Sequence, residues 1–307
     1  MQTITSRRVR TSYGCGALLL VSLAAATTAG AATLDRIKET GHIRFGYFAD
    51  ARPFTYRGAS GGVEGYGAAL CERIAEQAKG ELGLGSISVD WVPITGTDPF
   101  AEVQQGNIDV LCTPTSVTLN RRRQVSYSIP VFPGGARAVV RANAPTALRE
   151  ALADTPSTKP VWRGSPAAHT LRETTVATVS GTTAEIWLTG AISAFQIGAK
   201  LAPVPNFATG LQQLRDGKAD VFFGDRAAIL GAMDPATAKD FVILDRVFTR
   251  EQYALAVPRG DEDFRLVVDR ALSVLFASGE IANVYARAFG PPDAATRTYF
   301  QWNTLTQ

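Results

Sequence analysis

The chain carries only two histidines, His42 and His169, and no Gly-x-Ser-x-Gly, His-Glu-x-x-His, Walker loop or Gly-x-Gly-x-x-Gly. His169 stands in a proline-rich stretch and reads as a solvated side chain, so histidine-based and metal-based catalysis find no foothold and no cofactor is implied. What remains suits the capture of a small charged molecule. Gly181-Thr182-Thr183 follows a strand pattern and opens a helix pattern. Free N–H groups there can hold an anion, or Thr182 can simply cap the helix. Thr115, Ser116 and Thr118 place hydroxyls beside Arg121-Arg122-Arg123 just past another strand. A triple Arg is ordinarily a solvated face, yet one guanidinium turned inward could grip a carboxylate through two parallel bonds. Asp225, between a strand and a helix, could accept an ammonium group or act as an N-cap. An Arg, a helix start and a carboxylate together describe a site for a zwitterion.

The elements that must position these groups are legible from periodicity. Leu34 to Ile37 begins a short helix ended by Gly41, and Ile43 to Phe48 reads as a strand. A helix follows Glu64-Gly65-Tyr66, with Ala69, Leu70, Arg73, Ile74 and Ala78 on one stripe and Cys71 at its margin. Strand 87–92, helix 100–105 and strand 108–112 complete an alternating order that argues for a parallel α/β sheet. The segment 143–172 contains Pro145, Pro156, Pro160 and Pro166 without a sustained period, and is expected to be an exposed excursion. Alternation resumes with strand 176–179, helix 184–194, a strand near Leu201, helix 207–215, strand 220–223 and helix 226–233. Strands at 241–244 and 253–257 and two closing helices follow. Two α/β lobes with extended connections are the natural architecture, and a cleft between lobes is where ligands prefer to bind.

Charge and composition narrow the partners. The 31 basic and 28 acidic residues give +3, but Arg7, Arg8 and Arg10 fall in the first 31 residues, which hold no acid; without them the balance is 28 against 28. A neutral body excludes a basic nucleic-acid surface. Residues 1–31 run from basic through the apolar 16–26 to Ala29-Gly30-Ala31, the pattern of a secretory signal peptide cleaved near Ala31. At 46% hydrophobic and 19% charged, the remainder can build a real core, which excludes disorder and a disulfide scaffold. Its two cysteines, Cys71 and Cys112, could be bridged in an oxidising compartment or be two buried thiols.

A set of motifs in fixed order carries a resemblance. Ile43-Arg44-Phe45-Gly46, Pro53-Phe54, Gly65-Tyr66, Ile108-Asp109-Val110, Ser116-x-Thr118-x-x-Arg121, Tyr127-Ser128, Gly181-Thr182-Thr183, Gly217-x-Ala219-Asp220 and Ser278-Gly279-Glu280 span most of the chain. Together they resemble the periplasmic polar amino-acid-binding proteins of ABC importers (extracellular solute-binding family 3), nearest the glutamate/aspartate branch. The resemblance implies the two-lobed type II periplasmic-binding-protein fold, with residues 32–133 plus 248–307 as the first lobe and 134–247 as the second. The two crossings would fall near 131–135 and 244–251. It implies that Arg121, with Ser116 and Thr183, binds the ligand α-carboxylate, that Asp225 binds the α-ammonium, and that Cys71 and Cys112 form a disulfide. It further implies a periplasmic monomer that delivers an amino acid to a membrane ABC permease and is not an enzyme.

Departures from the family bear on the ligand. Around the ligand side chain, where acidic amino-acid binders place cationic or polar groups, this chain has Phe48, Gly96, Pro99 and Phe207, and Ala51 lacks the ring used by basic amino-acid binders. A side-chain carboxylate would lose water there without gaining a partner, so an uncharged side chain is expected. Phe48 and Phe207 could equally be core residues. Two alternatives use the same pocket: a ligand-sensing partner of a membrane receptor, and an exported cyclohexadienyl or arogenate dehydratase with Asp50, Asp98 or Asp225 as the acid.

Overall fold

The computed structural model describes residues 33–96, 98–153 and 166–306. The leader at 1–31 lies outside them, as do residues 154–165 of the proline-rich segment. Helix α1 (Thr33–Thr40) leads into β1 (His42–Tyr47), with Ile43, Phe45 and Tyr47 buried. The short β2 (Asp50–Ala51), β3 (Thr55–Arg57) and β4 (Val63–Glu64) make a small antiparallel sheet that the periodicity did not reveal. Strands of two or three residues are too short to alternate. Helix α2 (Tyr66–Glu81) then buries Leu70, Ile74 and Ala78. Cys71, expected at the margin of that stripe, is fully buried, because its sulfur is bonded to Cys112 with the Cα atoms 6.0 Å apart. Gly67 lets α2 approach the sheet: a Cβ there would lie 1.9 Å from the Cys112 carbonyl oxygen.

Strand β5 (Ser88–Pro93), helix α3 (Pro99–Gln104) and β6 (Val110–Ser116) follow, and β5 and β6 flank β1 in parallel, as the alternating order predicts. After a 3₁₀ turn at Arg121–Arg123 come β7 (Ser126–Tyr127) and β8 (Phe132–Gly134). The chain then passes into a second sheet through β9 (Ala136–Arg141). Helices α4 (Thr146–Leu152) and α5 (Pro166–Arg172) correct the reading of 143–172 as an exposed excursion: Leu148 and Leu152 are buried against Val140, Val176 and Val221. Each helix makes about two turns beside a proline, too few for a period to emerge. His169 is exposed, as expected.

Strand β10 (Thr175–Val179), α6 (Thr183–Ala194), β11 (Lys200–Val204), α7 (Phe207–Arg215), β12 (Val221–Asp225), α8 (Arg226–Ala232) and β13 (Phe241–Ile243) complete the second sheet, in the order β11-β10-β12-β9-β13. The chain returns through β14 (Glu251–Val257), which pairs antiparallel with β6, β7 and β8. Helices α9 (Glu262–Ala277) and α10 (Ile281–Phe289) cover the first sheet, and α9 packs on α2. A third closing helix, α11 (Ala294–Trp302), adds to the two predicted and presses Phe300 against Phe276. The pairing of Glu251 with Gly134 sets the outgoing and returning connections side by side.

Candidate functional site

Each sheet reverses direction about one parallel strand: β5 and β6 flank β1, and β11 and β12 flank β10. At such a switch point the loops leaving the strands diverge and open a crevice at their carboxyl ends. Ser116 ends β6, Gly181 to Thr183 follow β10, and Asp225 ends β12. The topology therefore gathers these residues at the mouths of the two sheets.

Their side chains meet. The Ser116 and Thr183 hydroxyl oxygens are 3.3 Å apart, joining the first sheet to the second. Of the triple Arg, Arg122 and Arg123 are exposed while Arg121 turns inward. Its backbone N–H donates to Thr118 Oγ1 at 3.1 Å. One guanidinium nitrogen donates to the Ser116 carbonyl at 2.9 Å and the other to the Gly181 carbonyl at 3.2 Å, so Arg121 spans both lobes. Thr182 caps α6 through Glu185 N–H at 3.3 Å, which leaves the Thr183 hydroxyl facing the crevice.

Asp225 is the N-cap of α8. Its Oδ1 accepts from the N–H groups of Ala227 at 2.8 Å and Ala228 at 3.2 Å, capping α8, and its Oδ2 accepts from Gly135 N–H at 3.1 Å. Burial raises its pKa to about 6; the three N–H donors oppose that rise and the charge of Glu251 adds to it. A carboxylate has about four acceptor sites, so room remains for a further donor such as an ammonium.

Phe48 and Phe207 are partly buried and pack against core clusters. Phe48 packs beside the cluster of Ile94, Phe100 and Leu111, with its backbone fixed by Thr113 and Thr55 hydroxyls. Phe207 begins α7 edge-on to Phe222 at 5.9 Å between centroids, over Gly224, where a Cβ would meet the ring at 2.6 Å.

Sequence reasoning missed Glu251. Its Oε2 accepts from the Ser116 hydroxyl and, at 2.7 Å, from the Thr183 hydroxyl, while Oε1 accepts from Thr249 at 2.7 Å. Burial first, then the Asp225 and Glu251 carboxylates, push the Tyr253 phenol well above its ordinary pKa, and Tyr253 pairs with Ser116 across β14 and β6. A charged residue opening an apolar strand looks like a solvated end, so no sequence signal marks Glu251 as internal.

The comparisons with known proteins fit this geometry. Residues 43–291 match the family model for bacterial extracellular solute-binding proteins, family 3. The chain belongs to this family. Among its relatives, the L-glutamate/L-aspartate-binding protein of Pseudomonas aeruginosa is 29% identical over 85% of this chain and 80% of that one. The cyclohexadienyl dehydratase of the same organism is 25% identical over 89% of this chain and 91% of that one. Among solved structures, a mutant of ArgBP from T. maritima superposes with a TM-score of 0.65 at 25% identity, over 83% of this chain and 98% of that one. The two-lobed fold of this solute-binding protein thus agrees with the one its motifs imply. Among the described residues no group of three or more His, Cys, Asp or Glu could hold a metal ion.

Proposed function

We propose that the protein is a periplasmic solute-binding protein that captures an amino acid or close analogue with an uncharged side chain and passes it to a membrane ABC permease. The observation that carries this reading is the meeting of Ser116 and Thr183 across the two lobes, with Arg121 bound to backbone on both sides. A carboxylate placed there would take hydroxyl and guanidinium donors from both lobes at once, and contacts available only when the lobes are together drive closure. Asp225 would receive the ammonium. Phe48 and Phe207 would line the side-chain end, where they offer a second carboxylate no partner. The first lobe is taken as 32–133 with 248–307 and the second as 134–247, the boundaries running through the paired crossings. The chain acts as a monomer, enters the periplasm by its leader, and performs no chemistry on its ligand.

A thermal-shift screen over the twenty amino acids, their amides and small organic acids tests the reading, because a ligand that binds only folded protein raises Tm. Charge-assisted hydrogen bonds contribute about 1.5 to 3 kcal/mol, so Arg121→Ala should weaken the best hit by about tenfold or more in calorimetry. Unchanged affinity in that variant removes Arg121 from the site.

A second reading, a dehydratase of cyclic amino-acid precursors, draws on the dehydratase relative and on Asp225, whose raised pKa would let it act as an acid. Three N–H donors instead hold Asp225 as an acceptor, and Asp98 is engaged in capping α3. Aromatic product from prephenate or arogenate incubated with the purified protein would establish the enzyme.

A further inference from the structure

Ser116 is 6% exposed, and a hydroxyl so placed needs a partner. It has one in Glu251, whose single oxygen Oε2 gathers the Ser116 and Thr183 hydroxyls from the two lobes. Glu251 opens β14 where the returning crossing meets the first sheet, paired with Gly134 of the outgoing crossing. Its other oxygen is tied to Thr249, whose own Oγ1 accepts from Ala136 N–H at 2.9 Å. An internal carboxylate therefore stands on the two hydroxyls that a ligand carboxylate would use. Arg121 is not spent on it: both guanidinium acceptors here are main-chain carbonyls.

We propose that Glu251 is a specificity-determining residue, a built-in carboxylate that engages Ser116 and Thr183 and holds the lobes together until a ligand's own carboxylate displaces it. The proposal rests on the reading of the cleft as an amino-acid site. Displacement is feasible because Thr249, two residues before Glu251, binds the other carboxylate oxygen and can keep that bond while the carboxylate swings. A ligand carboxylate must match two charge-assisted bonds and gains Arg121 in addition, whereas a ligand without a carboxylate leaves Glu251 in place and gains no hold on those hydroxyls. Glu251 thereby selects ligands that carry a carboxylate over plain amines.

The test has two arms, each run on Glu251→Gln, which keeps the shape, and Glu251→Ala. Without added ligand, spin labels at Lys38→Cys and Lys218→Cys report the separation of the lobes. The expected result is a longer or broader distribution in Glu251→Ala than in the parent; identical distributions overturn the bridging role. In the second arm, calorimetry uses the twenty amino acids and 4-aminobutanamide, an amine with no carboxylate. Glu251→Gln should bind the preferred amino acid about tenfold tighter, since a neutral acceptor holds the hydroxyls about half as strongly, and should gain nothing for 4-aminobutanamide. Weaker binding of both probes overturns the proposal, because Glu251 would then be holding the ligand's ammonium. If no amino acid binds the parent or either variant, the amino-acid reading itself fails, and the first arm still decides whether Glu251 bridges the lobes.

Discussion

Acidifying the protein from pH 7 to pH 5 should weaken amino-acid binding while stabilising the unliganded fold, and Asp225 should contribute to both effects. Burial lifts the Asp225 carboxyl to about 6. It is then ionised in roughly nine molecules of ten at pH 7 and in roughly one of ten at pH 5. If the ligand ammonium needs the ionised form, apparent affinity scales with that fraction and falls about tenfold across this window, or about 1.4 kcal/mol. Binding near pH 6 should also release a proton, read as a dependence of calorimetric heat on the buffer's ionisation enthalpy. Stability moves the other way. A carboxyl raised from 3.8 to about 6 contributes stability that is fully present below the unfolded value and is lost as pH rises through about 6. The whole span amounts to about 3 kcal/mol. Asp269, also held above its usual range by burial, adds an effect of the same sign, so the difference between parent and Asp225→Asn is the quantity to measure. That variant should bind about tenfold or more weakly at pH 7 and lose the pH slope. Parent affinity that stays flat from pH 5 to 7, or an equal slope in Asp225→Asn, refutes the role of Asp225.

Two further outcomes concern the scaffold. The Cys71–Cys112 bridge closes a separation of 41 residues. Chain entropy gives such a loop about 4 kcal/mol, so replacing both cysteines by Ala should lower the urea midpoint by a matching amount with little change in slope, and a loss below about 1 kcal/mol would show that packing alone holds α2 on β6. Gly67→Ala drives a Cβ to 1.9 Å from the Cys112 carbonyl oxygen, a main-chain atom fixed in β6. A cost of about 3 kcal/mol is expected in the same assay, and a cost below about 0.5 kcal/mol would mean that α2 slides freely on the sheet.

How far the sequence led depended on element length. Strand 42–47 and the long helices 66–81 and 262–277 carry enough residues for a stripe or an alternation to stand out, and their order dictates two α/β units. The small sheet of Asp50–Ala51, Thr55–Arg57 and Val63–Glu64 and the helix Thr146–Leu152 carry too few. Leu148 and Leu152, one helical turn apart, are the whole apolar face of α4, and among prolines two leucines are indistinguishable from a loop. Cys71 was placed at the edge of its helix because position on a helical stripe cannot register a covalent bond to a residue on the next strand but one.

The site followed a similar division, set by which groups act from element ends. Ser116, Thr183 and Asp225 sit at the carboxyl ends of strands or the starts of helices, where free N–H groups and the diverging loops of a switch point announce a crevice before any coordinates are known. By patterning alone Arg121 was one of three equivalent arginines; the resemblance singled it out, and the 3₁₀ turn exposes Arg122 and Arg123 and turns Arg121 inward. Glu251 differs in kind. It acts from the crossing between lobes, and its meaning arises only when β14 pairs with β8 and brings Ser116 and Thr183 within reach of one oxygen. Residues that belong to a lobe leave a local signature of cap, turn or strand end. A residue that works between lobes leaves none, because its partners lie 135 positions away at Ser116 and 68 away at Thr183. The charge that governs entry to the cleft is therefore the one that local patterning is least able to find.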